Sequence, residues 1–434
     1  MELAANEQSG PVSKQERIHS IDTLRGVALF GILLLNIIAF ALPLGSYFNP
    51  IVDGATEGRN LLTFVLVDTF FEGSMRTIFS MLFGASVILF TAKPKADSTT
   101  VASLYYKRTV LLIIFGLIDA YLLLWVGDIL YAYGVAGLFL FLFRNFPPAR
   151  LFSLGVAIIV FFGLFHLVEN SKLSDLRAEV LVIESLPDNL RTLEQRSALA
   201  AWETIREGNF ETQQLNDEDI ALRKSGYLTI VVGQAPINLL LQTIEYFLHG
   251  FWDVMAMMFL GMALLKWRIL DASRGTGFYL SMAIVGLGVG LSVNYYEVSA
   301  FVDSGFATHL NVSAYRPTYD IGRFFVAIGY IGVVMLICKA EVLSWLRSSL
   351  AAVGQMALTN YLSHTIFCNI LFMGFGFGLV GEFERYQIYY VVFAIWLFQL
   401  FVSPLWLRHF RFGPIEWLWR SLTYGKKQPM RTRR

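Results

Sequence analysis

IDTLRGVALFGILLLN, residues 21–36, sets an acid and a base three positions apart, Asp22 and Arg25, and then runs into apolar sequence without another charge. One amide, Asn36, lies eleven residues beyond Arg25. The apolar run over 24–42 matches the length of about 20 residues that a helix needs to cross a bilayer. Runs of this kind recur along all 434 residues, of which 56% are hydrophobic and 15% charged, where a soluble domain carries about 25% charged residues. The chain is expected to be all-α, a polytopic transmembrane helical bundle.

Ten spans are expected, at 24–42, 74–92, 107–126, 128–143, 150–168, 251–267, 275–297, 319–338, 349–372 and 386–407. Two semi-apolar stretches, 60–71 and 227–248, read as interfacial or re-entrant segments. Lys and Arg of the short loops divide 22 to three between the two faces. The larger set runs from Lys14 and Arg17 through Lys93, Lys95, Lys107 and Arg108 to Arg433 and Arg434; the smaller is Arg59, Arg316 and Arg385. By the positive-inside rule both termini are cytoplasmic. Asp22, just before the apolar core, argues for a first helix that is kept rather than cleaved.

This divides the chain into a cytoplasmic segment 1–23, a membrane block 24–168, an insert 169–224, a second block 225–407 and a basic tail 408–434. The insert holds 12 acids against seven bases with few Gly or Pro, and reads as helical and extracytoplasmic. The blocks resemble each other. FEGSMRTIFSMLFGA (71–85) matches LHGFWDVMAMMFLGM (248–262), with Gly84 on Gly261, and GDILYAYGVAG (127–137) matches YDIGRFFVAIG (319–329), with Asp128 on Asp320. Both pairs run in the same membrane direction, which suggests a parallel four-helix repeat of spans 2–5 and 6–9.

Charges inside an apolar layer cost about 2.5–3.5 kcal/mol each on insertion scales, so they mark tight pairs or function. Here they gather toward one face: Asp68, Glu72, Arg76, Asp119, Asp128, Glu245, His249, Asp253, Asp320 and Arg323, with His364 and Asn360 deeper. An outward-facing polar cavity between the repeats would hold them, with Glu72, Arg76, Asp128, His249, Asp253, Asp320 and Arg323 as binding residues. Several have structural readings. Asp68, Glu72 and Arg76 form an ion-pair ladder if their stretch is one helix, Arg76 and Asp253 would pair across the repeats, and Asp128 after Gly127 is an N-cap. No metal-ligand spacing, phosphate loop or nucleophile elbow occurs, and the two cysteines, Cys338 and Cys368, fall inside apolar segments. Basic residues are spread over many loops, so nucleic acid is not an expected partner.

IDTLRGVALFGILLLN, FEGSMRTIFSMLFGA, GDILYAYG, VGQMALTNYL and FRFGPIEWLWRSLTYG resemble the YeiB family, bacterial membrane proteins with a C-terminal domain of unknown function. The likeness runs over nearly the whole chain and implies the cytoplasmic (inner) membrane. The opening acid-x-x-Arg-Gly is also similar to the heparan-alpha-glucosaminide N-acetyltransferases and the type three membrane acyltransferases. That resemblance implies transfer of an acyl group from cytoplasmic acyl-CoA to an acceptor across the membrane. It implies that Arg25, oriented by Asp22, meets a CoA phosphate, and that Asn36 stands where the type three family keeps a catalytic histidine. The N-acetyltransferases keep asparagine there and a histidine in the next loop, but residues 43–73 contain none.

His364 is then the expected general base, oriented by Asn360 or paired with Asp119. Expected partners are the lipid bilayer, acyl-CoA and a second copy of the chain; no metal is expected. Parallel repeats around polar residues fit a transporter or exporter equally well. A non-catalytic sensor or scaffold built on the insert is a third reading.

Overall fold

The computed structural model describes residues 18–92, 98–208, 212–307 and 318–432. Lys14, Arg17, Lys93, Lys95, Arg316, Arg433 and Arg434 of the charge count lie outside the described residues. Among the described residues there is one isolated bridge, Phe410 to Arg431, and no strand.

Eight helical runs are long and apolar enough to cross a membrane. They are α1 (His19–Ala41), α2 with α3 (Gly58–Phe71, Ser74–Thr91), most of α4 (Ser98–Tyr121), α6 (Pro148–Glu184), α9 with α10 (Tyr227–Leu240, Phe251–Lys266), α11 (Thr276–Asp303), α12 (Tyr319–Lys339) and α15 (Arg385–His409). The shorter α5 (Leu130–Phe143) and α14 (Ala357–Phe372) supply the other two expected segments. Leu142, Phe161, Ile284 and Phe401 are each more than 60% exposed on these helices. Such a surface needs lipid around it, and the chain is a helical membrane protein.

The structure gives detail at three places. The stretches 60–71 and 227–248 are helices that run on into the spans behind them, giving runs of 34 and 40 residues. At 1.5 Å per residue the longer is about 60 Å, twice the hydrocarbon thickness. It passes through a π-helical stretch, Leu241–Gly250, before α10. The first run breaks instead at Gly73, whose φ of +66° turns the chain between α2 and α3. A Cβ there would also stand 2.5 Å from the Tyr319 hydroxyl, so both backbone and space demand glycine. The expected span 349–372 is likewise two helices, α13 (Ser344–Gln355) and α14, broken at Met356. Glu416 on α16 (Pro414–Tyr424) causes the break: its carboxylate accepts from Leu358 N at 2.7 Å and Thr359 N at 3.0 Å, the first free donors of α14.

The insert is helical, as its composition suggests. α6 is 37 residues, about 55 Å, and continues beyond any bilayer to pack on α7 (Leu193–Gly208) through Leu173, Val180 and Trp202. α8 (Gln213–Arg223) returns to the bundle. Its last residue, Arg223, is buried and donates to the carbonyls of Ala39, Phe40 and Leu42, the otherwise unpaired end of α1. One end of the bundle therefore carries the insert, and the other carries the start of α1 and the end of the chain.

At the centre α3 and α10 touch backbone to backbone. A Cβ on Gly84 would lie 2.1 Å from the Met258 carbonyl oxygen, and one on Gly261 would lie 1.9 Å from that of Met81. The contact is reciprocal, as two copies of one motif across an axis require. The starts of both helices, with Arg76 and Asp253, face the insert end.

Candidate functional site

Three polar groups are built on this frame. The first sits where α1 begins. Arg25 donates to Asp22 at 3.1 Å and to Ser86 of α3 at 3.2 Å, so the expected acid–base pair forms. Two further arginines converge on it. Arg108 of α4 lies 4.1 Å over the ring of Trp419 and 5.2 Å over Phe90, while Trp419 donates its indole N–H to the Arg108 carbonyl. Arg420, one residue on, stacks over Phe412. Arg108 lies within charge range of both Arg25 and Arg420. Among the described residues no carboxylate pairs with Arg108. Aromatic rings rather than acids hold this guanidinium, which keeps its donors for something else. Eleven residues up α1, Asn36 is half-buried, and its side chain makes no hydrogen bond among the described residues.

The second group lies at the break between α2 and α3. Arg323 of α12 is buried and ion-pairs with both Asp253 and Asp320. Arg76 does not take Asp253, as the repeat suggested; it donates to the Tyr319 hydroxyl at 3.3 Å, which itself donates to Glu72 at 2.8 Å. The ladder of Asp68, Glu72 and Arg76 is broken by the turn at Gly73. His249 pairs with Glu245 at 3.5 Å, and its ring is 6.3 Å from that of His166, a residue that sequence reading passed over. Among the described residues no cluster with three or more metal-ligating side chains is present.

The third group lines α14, on two faces. Asn360 and His364 face α15: the His364 Nε2 meets Gln399 at 3.1 Å, and the Asn360 amide donates to Ser403 and to the Val353 carbonyl. His364 Nδ1 is buried without a hydrogen bond. Asp119 is elsewhere, so it neither orients nor pairs with His364. It stands beside Asp128 and Thr365. Asp128 accepts from Leu130 N at 3.1 Å and Tyr131 N at 2.8 Å, capping α5 as its place after Gly127 suggested. Tyr361 accepts from Trp125 Nε1 and Ile129 N at 3.0 and 3.2 Å. Tyr361 and Thr365 repeat at four, one residue out of phase with Asn360 and His364, so the sequence held a signal for both faces.

Comparison with known proteins matches this sequence to uncharacterized relatives. The family model described as "Protein of unknown function (DUF418)" matches residues 264–426. The uncharacterized protein YeiB of Escherichia coli (strain K12) is 30% identical over 423 residues, 95% of this chain and 98% of that protein. The uncharacterized protein YxaH of Bacillus subtilis (strain 168) is 29% identical, covering 97% of both chains. An uncharacterized 39.9 kDa protein of Bacillus acidopullulyticus is 27% identical over 425 residues. The likeness runs from end to end rather than over the C-terminal half alone, and the chain belongs to the YeiB family.

Proposed function

We propose that this protein is a membrane acyltransferase of the bacterial cytoplasmic membrane, taking its acyl group from acyl-CoA on the cytoplasmic side. The observation that carries this reading is the arginine group of Arg25, Arg108 and Arg420 around Trp419 at the end of the bundle where α1 starts. Lys and Arg are concentrated at that end, which by the charge rule faces the cytoplasm. Guanidinium groups suit phosphates through paired donors, and CoA presents several. Asn36, on the same helix and without a side-chain hydrogen bond, would hold the acyl carbonyl. An acceptor hydroxyl or amine would lose its proton to a base and attack that carbonyl; the C–S bond would break and the thiolate take up a proton. His364 is the candidate base, since Gln399 fixes Nε2 and leaves Nδ1 to accept.

Purified protein titrated with acetyl-CoA and longer acyl-CoAs by calorimetry tests this. Binding should weaken about tenfold or more in Arg108→Ala, since a hydrogen bond to a charged group contributes roughly 1.5–3 kcal/mol. His364→Ala should bind normally and turn over about a hundredfold more slowly. A folded sample that binds no acyl-CoA would overturn the reading.

A further inference from the structure

Asp119 and Asp128 are used by none of this, and their surroundings differ sharply. Asp128 accepts two backbone N–H groups at the start of α5. Beside it, the Tyr361 oxygen already accepts from Trp125 and Ile129, so its own hydrogen is left to donate, and the Asp128 carboxylate lies within its reach electrostatically. Asp128 is thus solvated as a carboxylate by the protein. Asp119 is 0% exposed, and neither of its oxygens has a well-formed hydrogen bond. Its neighbours are the Asp128 carboxylate and the Thr365 hydroxyl.

The elements packed around the pair bring polar and aromatic groups rather than countercharge. α4 contributes Asp119 and Gly116, α5 contributes Tyr131, and α14 contributes Tyr361 and Thr365. α9 approaches through Asn238, which donates to the Ala120 carbonyl, and α1 through Phe40, stacked on Trp125. Among the described residues no Lys, Arg or His pairs with either acid. Two carboxylates side by side without a cation cannot both stay ionised in a low-dielectric interior. Asp128 is half-buried and Gly127 exposed, so the pair has a way out on the connector between α4 and α5, while Asp119 is sealed.

We infer that Asp119 and Asp128 form a one-proton binding site inside the bundle, with the proton on Asp119, the charge on Asp128 and exchange through Asp128. The site does not depend on the acyl-transfer reading, because it holds whether or not acyl-CoA binds. Its position against the middle of α14 makes that helix sensitive to loss of the proton.

Infrared spectroscopy of the full chain in lipid reads the proton directly, through the carbonyl stretch of a protonated carboxylic acid. Protein grown with isotope-labelled aspartate should show one label-shifted band of this kind at neutral pH; the label sets it apart from Glu416. The band should be lost in Asp119→Asn and kept in Asp128→Asn, with helical content unchanged. No aspartate-derived band in the unmutated protein would overturn the proposal without any variant. A band kept in Asp119→Asn, or lost in Asp128→Asn, would also overturn it.

Discussion

Arg323→Met separates the ion network found at the α2–α3 break from the one that the repeat suggests. The Arg323 side chain is 5% exposed and serves two carboxylates, Asp253 at 25% and Asp320 at 13% exposure. Removing it leaves Asp320 without its cation and Asp253 with only the more distant Arg76. Stripping one partner from a buried ion pair costs about 3–5 kcal/mol, most of it from the charge left behind. The partial exposure of Asp253 places the expected loss near the lower figure. With Asp253→Asn and Asp320→Asn also present, no orphaned charge remains and the cost should fall to about 1–2 kcal/mol, lost packing and hydrogen bonds. Arg76→Met should cost only about 1 kcal/mol, the value of its bond to Tyr319. Unfolding from mixed micelles titrated with a denaturing detergent, with helical content as the signal, gives the order. If Arg76→Met is as damaging as Arg323→Met, or if the two Asn changes fail to relieve Arg323→Met, Asp253 belongs to Arg76 and the network described here is wrong.

Gly84→Ala and Gly261→Ala should each destabilise by about 1–3 kcal/mol, because the added methyl meets a backbone carbonyl that cannot swing aside; Gly163→Ala on α6, with open space around it, should change little in the same assay. Glu416 supplies a pH test outside the spans: burial pushes its carboxyl above the ordinary carboxylate range, against hydrogen bonds from Thr359 and Leu358. The folded state then holds this proton to higher pH than the unfolded chain does, so the contribution is full below about pH 4.3 and is lost as pH rises above it. Unfolding midpoints compared across pH should show that decline in the unmutated protein and a flatter dependence in Glu416→Gln; parallel curves would contradict it.

The spans were legible because lipid imposes one requirement on every crossing segment, a long apolar helix, and that requirement is written residue by residue. Where the expectation failed, the deciding contact came from far along the chain. Residues 349–372 read as one apolar run, and nothing local marks Met356 as a break. Glu416, about sixty positions later, accepts the N–H groups that a continuous helix would have spent internally. The stretch 227–248 read as semi-apolar and interfacial; in the fold it is helical, and its Asn238 donates to the Ala120 carbonyl at the end of α4.

The site was legible as an inventory and not as a set of pairs. All of the intramembrane charges singled out by cost are present in polar groups, but the pairing rules drawn from spacing fail where the chain turns. Asp68, Glu72 and Arg76 are four apart, and the positive φ of Gly73 sends Arg76 along another axis. Arg323 reaches Asp320 by helical spacing and Asp253 by tertiary packing, and only the first could have been read. Neutral side chains carry the rest. Gln399 fixes His364, Tyr361 stands beside Asp128, and Trp419 holds Arg108. A search ranked by the cost of burying charge passes over each of them, although they set what surrounds each charge.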